Sequence, residues 1–343
     1  MVARVYCTYF DHNYLSRGLA LYRSLLRHAP DSRLWVLCLS REAHDVLVAL
    51  DLPGVMPIRM DEFEANEPEV AATRATRSPV EYYFTCTPAW LLYVSRHETD
   101  AEWITYLDGD LYFFRSPEVL YDELRNASVA IIPHRYPQRL EKRLMKFGVY
   151  NVGWVGIRRD DDGYAVAAWW RQKCIEWCHD YVDGDRFADQ RYLDSFPTMS
   201  SKVKIIGNLG ANLAPWNIGN YRVDFRGNDV LLDEVTSLIF FHFQGLRKGL
   251  RWFVFNSHRY YRMPFSFTTR RHIYLPYVRE LLAIESDIES IMPLRAAVPH
   301  KRFAVPDIKE RARAKIRSLV MFAIHLLDIL TGRAFIVIDN KPY

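Results

Sequence analysis

The chain has 343 residues, half of them hydrophobic and a quarter charged, a composition typical of a soluble globular protein with one or two domains. Its 45 basic and 41 acidic residues leave a formal net charge of +4, which is too balanced for a surface built to bind nucleic acid. The five cysteines are odd in number and form no CxxC zinc pattern, so we predict a reduced protein without a disulfide framework.

Apolar runs and helical periodicities alternate along the first half of the chain. Strands are predicted over residues 5–9 and 34–39, with a helix between them that begins at Leu15. This alternation predicts βαβ units and a parallel sheet, and therefore the α/β class. Further strands are predicted over 103–107, 128–132, 153–157 and 238–241, and further helices over 79–94 and 164–181.

The run from Trp103 to Phe114 carries the clearest chemical signal. Asp108 and Asp110 stand one residue apart between apolar runs that are typical of buried strands. A carboxylate in such surroundings is costly unless a cation or strong donors compensate it. Two hard oxygen ligands at a strand end suit Mg²⁺ or Mn²⁺, which can also bind a substrate diphosphate. The alternative is a tight turn, because Asp-Gly is a common hairpin sequence.

Other polar residues also stand at the ends of predicted strands. Thr8, Tyr9 and Asp11 close the first strand, and His242 follows the apolar residues 239–241. Ligands of open α/β sheets bind beyond the carboxyl ends of the strands. We therefore expect these side chains to share one edge of the sheet with the aspartates.

Six segments resemble, in consistent order, the motifs of glycosyltransferase family 8 and its bacterial relatives. They are the opening residues 7–25, the DxD motif at 106–110, the Asn-x-Gly segment at 150–155, the Asp-Gln segment at 187–193, the later asparagine segment at 212–217, and the His-Phe-x-Gly-x-x-Lys signature at 242–248. The resemblance covers roughly residues 3–260. It implies a GT-A domain, a Rossmann-like α/β fold that binds nucleotide-diphosphate sugars.

The resemblance also implies metal and donor ligands. Asp108, Asp110 and His242 would hold Mn²⁺ or Mg²⁺, and Lys248 would place a point charge on the diphosphate. The alternatives are a core histidine for His242 and a solvated surface lysine for Lys248. The full set of implied donor contacts is Thr8, Tyr9, Asp11, Gly109, Asn212, Gly245 and Lys248.

Asp189, Gln190 and Asn151 are the implied catalytic residues. By resemblance the Asp-Gln pair faces the anomeric carbon, where either side chain could stabilise positive charge on the sugar ring. With this pair in place of an obvious general base, the resemblance implies transfer with retention. The alternatives are an acidic helix start stabilised by the helix dipole for Asp189, and a turn cap for Asn151. Tyr9 is equally compatible with packing.

Two positions depart from the family pattern. Many members carry an arginine in the helix before the DxD motif, where this chain has Trp90. Their Lys-Pro-Trp is replaced here by 248–250, Lys-Gly-Leu. Donor binding should therefore differ, with Arg74, Arg77 or Arg247 as candidate substitutes for the missing arginine.

The carboxyl-terminal part has a different character, so we predict three regions. A catalytic domain spans residues 1–260, and a helical segment with a proline-containing linker spans 261–306. Residues 307–343 form the C-terminal extension, whose predicted helix over 307–331 begins basic and becomes apolar. Such a helix packs on the protein or a second subunit, or lies in a membrane interface.

The sequence thus predicts a metal-dependent, retaining glycosyltransferase with a UDP-sugar donor and a glycan or lipid-linked acceptor, such as lipopolysaccharide. Two alternatives are a non-catalytic sugar-nucleotide-binding scaffold and a metal-dependent phosphohydrolase or nucleotidyltransferase. No run approaches the ~20 apolar residues of a membrane span, and no signal-peptide core precedes Asp11. We therefore expect a cytoplasmic protein, with peripheral membrane contact or homo-oligomerisation through the tail as alternatives.

Overall fold

The computed structural model describes residues 4–249, 252–291, 327–329 and 331–343. They belong to two compact units, the first ending at Phe243 and the second beginning at Gln244. The predicted linker over 292–306 lies outside the described residues, as does most of the predicted helix over 307–331. Among the residues that are described, no helix has both the length and the hydropathy needed to cross a bilayer.

The strands of the first unit are short, and most are buried. They are β1 (Val5–Phe10), β2 (Arg33–Cys38), β3 (Val55–Arg59), β4 (Trp103–Leu107), β5 (Leu111–Phe113), β6 (Val129–Pro133), β7 (Tyr150–Arg158), β8 (Val203–Ile205), β9 (Val223–Arg226), β10 (Asp229–Leu232), β11 (Thr236–Ser237) and β12 (Phe240–His242).

A seven-stranded sheet lies at the centre of this unit, in the order β3-β2-β1-β4-β7-β6-β8. Strand β1 pairs in parallel with β2 and β4, and β2 pairs in parallel with β3. The predicted α/β class is therefore confirmed. The predicted parallel pairing is present among β3, β2, β1 and β4, whereas β7 runs antiparallel to both β4 and β6. A strand that is buried on both faces has a continuous apolar sequence in either direction, so its composition does not reveal its orientation.

Helices alternate with the strands along most of the first unit. They are α1 (Leu15–His28), α2 (Arg41–Leu50), α3 (Met60–Asn66), α4 (Pro68–Thr73), α5 (Pro79–His97), α6 (Glu118–Asp122), α7 (Lys142–Phe147), α8 (Asp161–Glu176) and α9 (Phe196–Met199). The predicted helix over 164–181 thus begins and ends earlier than expected, at residues 161 and 176. Asp160 caps its start by accepting a hydrogen bond from the Gly163 amide at 2.9 Å.

Helix α5 is the longest helix of the first unit and is fixed at its start by a capping box. The Ser78 hydroxyl accepts from the Glu81 amide, and the Glu81 carboxylate accepts from the Ser78 amide at 2.8 Å. Its central residues are buried, including Thr87 and Trp90. The indole of Trp90 donates to the Thr8 carbonyl at 2.9 Å, which ties α5 to β1 directly beneath the end of the strand.

The second unit combines a four-stranded antiparallel sheet with helices. Its elements are β13 (Leu246–Lys248), β14 (Trp252–Phe255), α10 (Asn256–Tyr260), α11 (Phe267–Thr269), α12 (Leu275–Ile291), β15 (Ala334–Ile338) and β16 (Lys341–Pro342). The sheet order is β13-β14-β15-β16. Buried side chains of α12 and β15, among them Tyr277 and Phe335, belong to its core.

Candidate metal centre

The two aspartates of the DxD motif lie on a turn between β4 and β5. The Asp108 amide donates to the Gly153 carbonyl on β7 at 3.1 Å, and the Leu111 amide closes the turn on the Asp108 carbonyl at 3.2 Å. The tight turn that Asp-Gly predicts is therefore present. It places both carboxylates at the carboxyl end of β4, where the sheet is open to ligands.

His242 reaches this turn through an antiparallel ladder between β12 and β5, in which it lies opposite Leu111. Two backbone hydrogen bonds fix its position. The His242 amide donates to the Leu213 carbonyl at 2.8 Å, and the Phe243 amide donates to the Asp110 carbonyl at 2.9 Å. Residues about 130 positions apart in the sequence are thereby joined by backbone contacts.

The three side chains converge at one point. His242 Nε2 lies 3.1 Å from Asp110 Oδ1 and 3.6 Å from Asp108 Oδ2. One ligand atom from each residue lies within 4.8 Å of the other two, so the group could hold a metal ion. The exposed fraction of the side chain is 4% for His242 and 31% for Asp108, so the site is open on the Asp108 side. Two carboxylates and one imidazole are a donor set that fits a divalent cation.

The protonation equilibria of this group reflect mutual compensation. Burial raises the pKa of Asp108, and the Asp110 carboxylate raises it further against the opposing effect of His242. Burial acts the same way on Asp110, but the charge and hydrogen bond of His242 lower the pKa of Asp110 below its ordinary value. Burial disfavours the imidazolium, yet the two carboxylates raise the pKa of His242. The two carboxylates therefore favour a positive charge at this point, on the imidazole or on a cation.

The Asn-x-Gly segment on β7 forms the wall behind His242. A Cβ atom at Gly153 would lie 2.6 Å from Asn151 Oδ1 and 2.9 Å from both Cε1 and Nδ1 of His242. Only glycine leaves room there for the imidazole and the amide together. The ring of Trp216 packs edge-on against the same imidazole, with 5.0 Å between ring centroids.

We expect Gly153→Ala to displace the His242 ring and weaken Mn²⁺ binding by at least about tenfold, while lowering the free energy of unfolding by about 1–3 kcal/mol. Gly156→Ala is the matched control on the same strand, because its Cβ would meet no atom closer than 3.4 Å. Calorimetric titration with Mn²⁺ and chemical denaturation would measure both effects. Equal metal affinity in the two variants would show that Gly153 does not position His242.

Asn151, Gln190 and Asp189 meet beside the aspartate turn. Asn151 Nδ2 donates to Gln190 Oε1 at 3.2 Å, and Gln190 Nε2 donates to the Phe147 carbonyl at 2.7 Å. Asp189 is 4% exposed, and burial raises the pKa of its carboxyl to about 7, with a smaller contribution from the charge of Asp108. The Asp-Gln pair lies on a turn that precedes a 3₁₀ helix, Arg191–Ser195.

Two of the predicted sugar-donor contacts at the end of β1, Tyr9 and Asp11, have side-chain partners within the protein. The Tyr9 hydroxyl lies 3.2 Å from Thr87 Oγ1, and its ring packs on Tyr106 with 5.5 Å between centroids. The Tyr106 hydroxyl in turn donates to Asp108 Oδ1 at 2.9 Å. Asp11 accepts from the backbone amide of Asn13 at 3.0 Å, which organises the turn into α1. Tyr9 therefore packs against Tyr106 and also lies beside the aspartate turn, so the structure fits both interpretations of this residue.

Several buried polar atoms around the site have no hydrogen-bond partner within the described part of the chain. They are Thr8 Oγ1, Asn151 Oδ1, Asn212 Oδ1 and His242 Nδ1. Unpaired buried polar atoms are uncommon, because each costs the free energy of desolvation. Asn212 adopts a φ of 63°. Its side-chain Nδ2 donates to the Pro133 carbonyl at 3.2 Å, so its Oδ1 points away from that carbonyl. A polar ligand that reaches these atoms would remove the cost.

Of the remaining predicted site residues, Lys248 and Gly245 belong to the second unit and Gly109 to the first. Lys248 forms an ion pair there with Glu285. Gly245 has a φ of 76°, and a Cβ on it would collide with Ser257. Both facts require glycine here without any role in ligand binding. The roles of Lys248 and Gly245 in donor binding stay predictions. Gly109 has room for a Cβ, since the nearest contact would be 3.7 Å away.

The position of the missing arginine is part of the core. Trp90 is fully buried and stacks on Tyr93 with 5.2 Å between ring centroids. Of the candidate substitutes, Arg77 donates to the carbonyls of Cys174 and Ile175 at 2.6 and 2.7 Å. Arg74 pairs with Glu64 at 2.8 Å. Both guanidinium groups are therefore engaged in structural contacts, and Arg247 is an exposed residue of β13.

The sequence reasoning missed several residues that shape the site, namely Thr87, Tyr106, Gly153 and Trp216. Tyr106, Gly153 and Trp216 lie inside the family-like motifs, but those motifs do not show which side chains these residues contact. Thr87 lies in a buried helix and carries no such signal.

The chain is similar in sequence to known proteins of Bacillus subtilis. The uncharacterized protein YfnD of Bacillus subtilis (strain 168) is 33% identical over 304 residues, which make up 88% of this chain and 96% of YfnD. The chain belongs to the YfnD family. The uncharacterized protein YfnF of the same organism is 29% identical over 250 residues, covering 71% of this chain and 81% of YfnF. No family model matches the sequence.

Among solved structures, the galactosyltransferase LgtC in complex with donor and acceptor sugar analogs is similar to this YfnD-family chain. The similarity covers 70% of this chain and 87% of LgtC, at a TM-score of 0.47 and 19% sequence identity.

Proposed function

We propose that this protein is a metal-dependent glycosyltransferase that transfers a sugar from a nucleoside-diphosphate donor with retention of anomeric configuration. The observation that carries the proposal is the convergence of Asp108, Asp110 and His242 at the carboxyl end of β4. Two carboxylates would repel a diphosphate unless a divalent cation lay between them and the phosphates. The resemblance to glycosyltransferase family 8 in six ordered segments supports the same assignment.

A bound divalent cation would supply electrostatic stabilisation of the charge that develops on the leaving diphosphate. Asp108 is the most exposed of the three ligands and faces the opening. Asp110 and His242 are more deeply buried, and the backbone ladder between β5 and β12 keeps them in register. We favour Mn²⁺ over Mg²⁺, because Mg²⁺ prefers oxygen ligands alone.

The sugar would lie against Asn151, Asp189 and Gln190. The amide of Gln190 is held at both ends, by Asn151 and by the Phe147 carbonyl, so its orientation is fixed before a ligand arrives. Asn151 Oδ1 is buried without a partner and is suited to accept from a sugar hydroxyl. Asp189, when ionised, would stabilise positive charge on the sugar ring.

This arrangement favours retention. Asn151 and Gln190 carry neutral amides and cannot act as general bases, and the carboxyl of Asp189 is buried. We propose a UDP-sugar as the donor and a cell-surface glycan or lipid-linked acceptor at the inner face of the membrane. The acceptor and the cellular location rest on the family resemblance.

Product analysis would test the proposal. The protein is incubated with Mn²⁺ and individual UDP-sugars without an acceptor, and slow hydrolysis is followed by phosphorus and proton NMR. We expect free UDP and a sugar that is first released as the α-anomer from an α-linked donor. Asp108→Asn and EDTA are the controls, and both should suppress the reaction.

Other outcomes would exclude the proposal in different ways. Release of UMP would indicate a phosphohydrolase or nucleotidyltransferase. Binding of UDP-sugars without hydrolysis of any of them would indicate a scaffold. Initial release of the β-anomer would show inversion, and Asp189 would then be the candidate general base.

A further inference from the structure

The connection between β6 and β7 carries a strongly basic stretch over residues 138–147, which we call the basic segment. It contains four cations and one carboxylate, that of Glu141. Lys142 and Lys146 are exposed, as is Arg139. Met145 is 76% exposed, whereas the other large hydrophobic side chains of the segment are partly buried. The basic segment therefore presents positive charge with one apolar side chain in its midst.

The basic segment is attached directly to the proposed catalytic pair. The carbonyl of Phe147 accepts from Gln190 at 2.7 Å, and the ring of Phe147 packs edge-on against Phe187 with 4.9 Å between centroids. Phe187 and Gln190 flank Asp189 in the sequence. The end of the basic segment thus contacts the residue that follows Asp189 and the residue two positions before it.

A rigid junction follows the segment. The Gly148 amide donates to the Leu144 carbonyl at 2.9 Å, and Gly148 has a φ of 87° that only glycine adopts readily. The next amide, that of Val149, donates to Asp194 Oδ1 at 2.8 Å. The segment therefore has a defined position relative to the catalytic pair.

From this placement we propose that the basic segment binds an anionic acceptor, a glycan or polyol chain that carries phosphate groups. The proposal rests on the function proposed above, in which the anomeric carbon lies beside Gln190. An acceptor hydroxyl must approach that carbon, and an acceptor chain on the Gln190 side passes over the basic segment. Its negative charges would meet Lys142 and Lys146, and Met145 would contact its carbon backbone.

The composition of the segment favours a soluble polyanion over a membrane surface. Interfacial binding to lipid requires an apolar face of several large side chains. Within this stretch Leu140, Leu144 and Phe147 are partly buried, which leaves Met145 as its exposed hydrophobic residue. Three of the four positive charges, in contrast, are exposed, namely those of Arg139, Lys142 and Lys146.

Polymer binding would test the proposal with the full-length protein. The probe is a fluorescein-labelled poly(glycerol phosphate) oligomer, followed by anisotropy at low salt without metal or donor, with a dextran oligomer of equal length as the neutral comparison. We expect the phosphate polymer to bind and dextran to bind at least about tenfold more weakly. Lys142→Gln combined with Lys146→Gln should weaken phosphate-polymer binding by at least about tenfold.

A matched double variant controls for the loss of two charges. Arg125 and Lys202 are exposed and lie at the opposite, amino-terminal end of β6 and β8. Arg125→Gln combined with Lys202→Gln should leave polymer binding unchanged. Equal losses in the two double variants, or equal binding of dextran and the phosphate polymer, would overturn the proposal.

Two further outcomes separate the possible errors. Binding to vesicles of phosphatidylcholine and phosphatidylglycerol, with no binding of the soluble polymer, would assign the segment to a membrane surface and overturn the proposal. UDP-sugar hydrolysis by the wild-type protein is measured in parallel. If no sugar donor is hydrolysed while polymer binding still depends on Lys142 and Lys146, the proposed function fails and the acceptor role fails with it, but the polyanion site stands.

Discussion

Asp110→Asn is expected to reduce sugar transfer by at least about a thousandfold while leaving the fold intact. The Asp110 carboxylate lies 3.1 Å from His242 Nε2, and its pKa is lowered, so it is ionised and available as a ligand at neutral pH. Asparagine keeps the shape but loses the charge that holds a divalent cation. His242 favours the Asp110 charge and burial opposes it, so the loss of stability on removing this charge should be small.

Three measurements check this prediction. Transfer or donor hydrolysis is measured with and without Mn²⁺, metal affinity by calorimetry, and melting temperature in EDTA. Asp122→Asn is the matched control, because that carboxylate is 71% exposed and pairs only loosely with Arg125 at 3.6 Å. Full turnover of the wild-type protein in EDTA would refute the metal assignment. A large fall in melting temperature for Asp110→Asn in EDTA would instead indicate a structural role.

Asp189→Asn should separate function from stability. We expect donor turnover to fall by about a hundredfold, because a charge facing the sugar ring is lost. We also expect the variant to be more stable than the wild type at pH 8. The Asp189 carboxyl is 4% exposed, and burial raises its pKa to about 7. Its ionisation in the folded state therefore costs free energy that an amide does not.

The pH dependence follows from the sign of this shift. An aspartate in the unfolded chain ionises near pH 4, whereas in the folded protein Asp189 keeps its proton up to about pH 7. Between these values the folded state binds more protons, so the free energy of unfolding falls as the pH rises and becomes constant above pH 7. The stability gain of Asp189→Asn should therefore grow by about 2–3 kcal/mol between pH 5 and pH 8.

Denaturant unfolding in EDTA at both pH values would measure this difference. Asp185→Asn is the control, because that carboxylate is exposed on the segment that precedes Asp189. A stability gain for Asp189→Asn that does not change with pH would contradict the protonation of Asp189. Unchanged turnover would remove it from the proposed catalytic set.

Local patterns in the sequence predicted most elements of the first unit but not how all of them pair. The predicted strands at 5–9 and 34–39 and the helix that follows Ser78 lie within one to three residues of the observed bounds. The strand expected at 238–241 lies later, at Phe240–His242, because its limits are set by pairing with β5 and not by its own apolar run. The orientation of β7 was missed for a similar reason, since strand direction depends on distant partners.

Site residues that belong to a local motif were predicted from the sequence. Residues whose role depends on contacts with distant parts of the chain were not. The spacing of Asp108 and Asp110 is visible in the sequence, but their contact with His242 requires the β5–β12 ladder. Arg77 was a candidate to bind the sugar donor, but its guanidinium donates to two carbonyls at the end of α8. The sequence does not show whether a polar side chain is exposed or hydrogen-bonded within the protein.

The antiparallel course of β7 has an evolutionary consequence. Because β6 and β7 form a hairpin, the connection between them projects as a single loop whose two ends are fixed by the sheet. Mutations, insertions or exchanges within 134–147 can then alter what approaches the proposed catalytic pair, Asp189 and Gln190, without moving the strands that carry Asn151 and support Asp108. Under the proposed function, a change of this one loop would change the acceptor and keep the donor site, and the hairpin offers engineers a position for grafting.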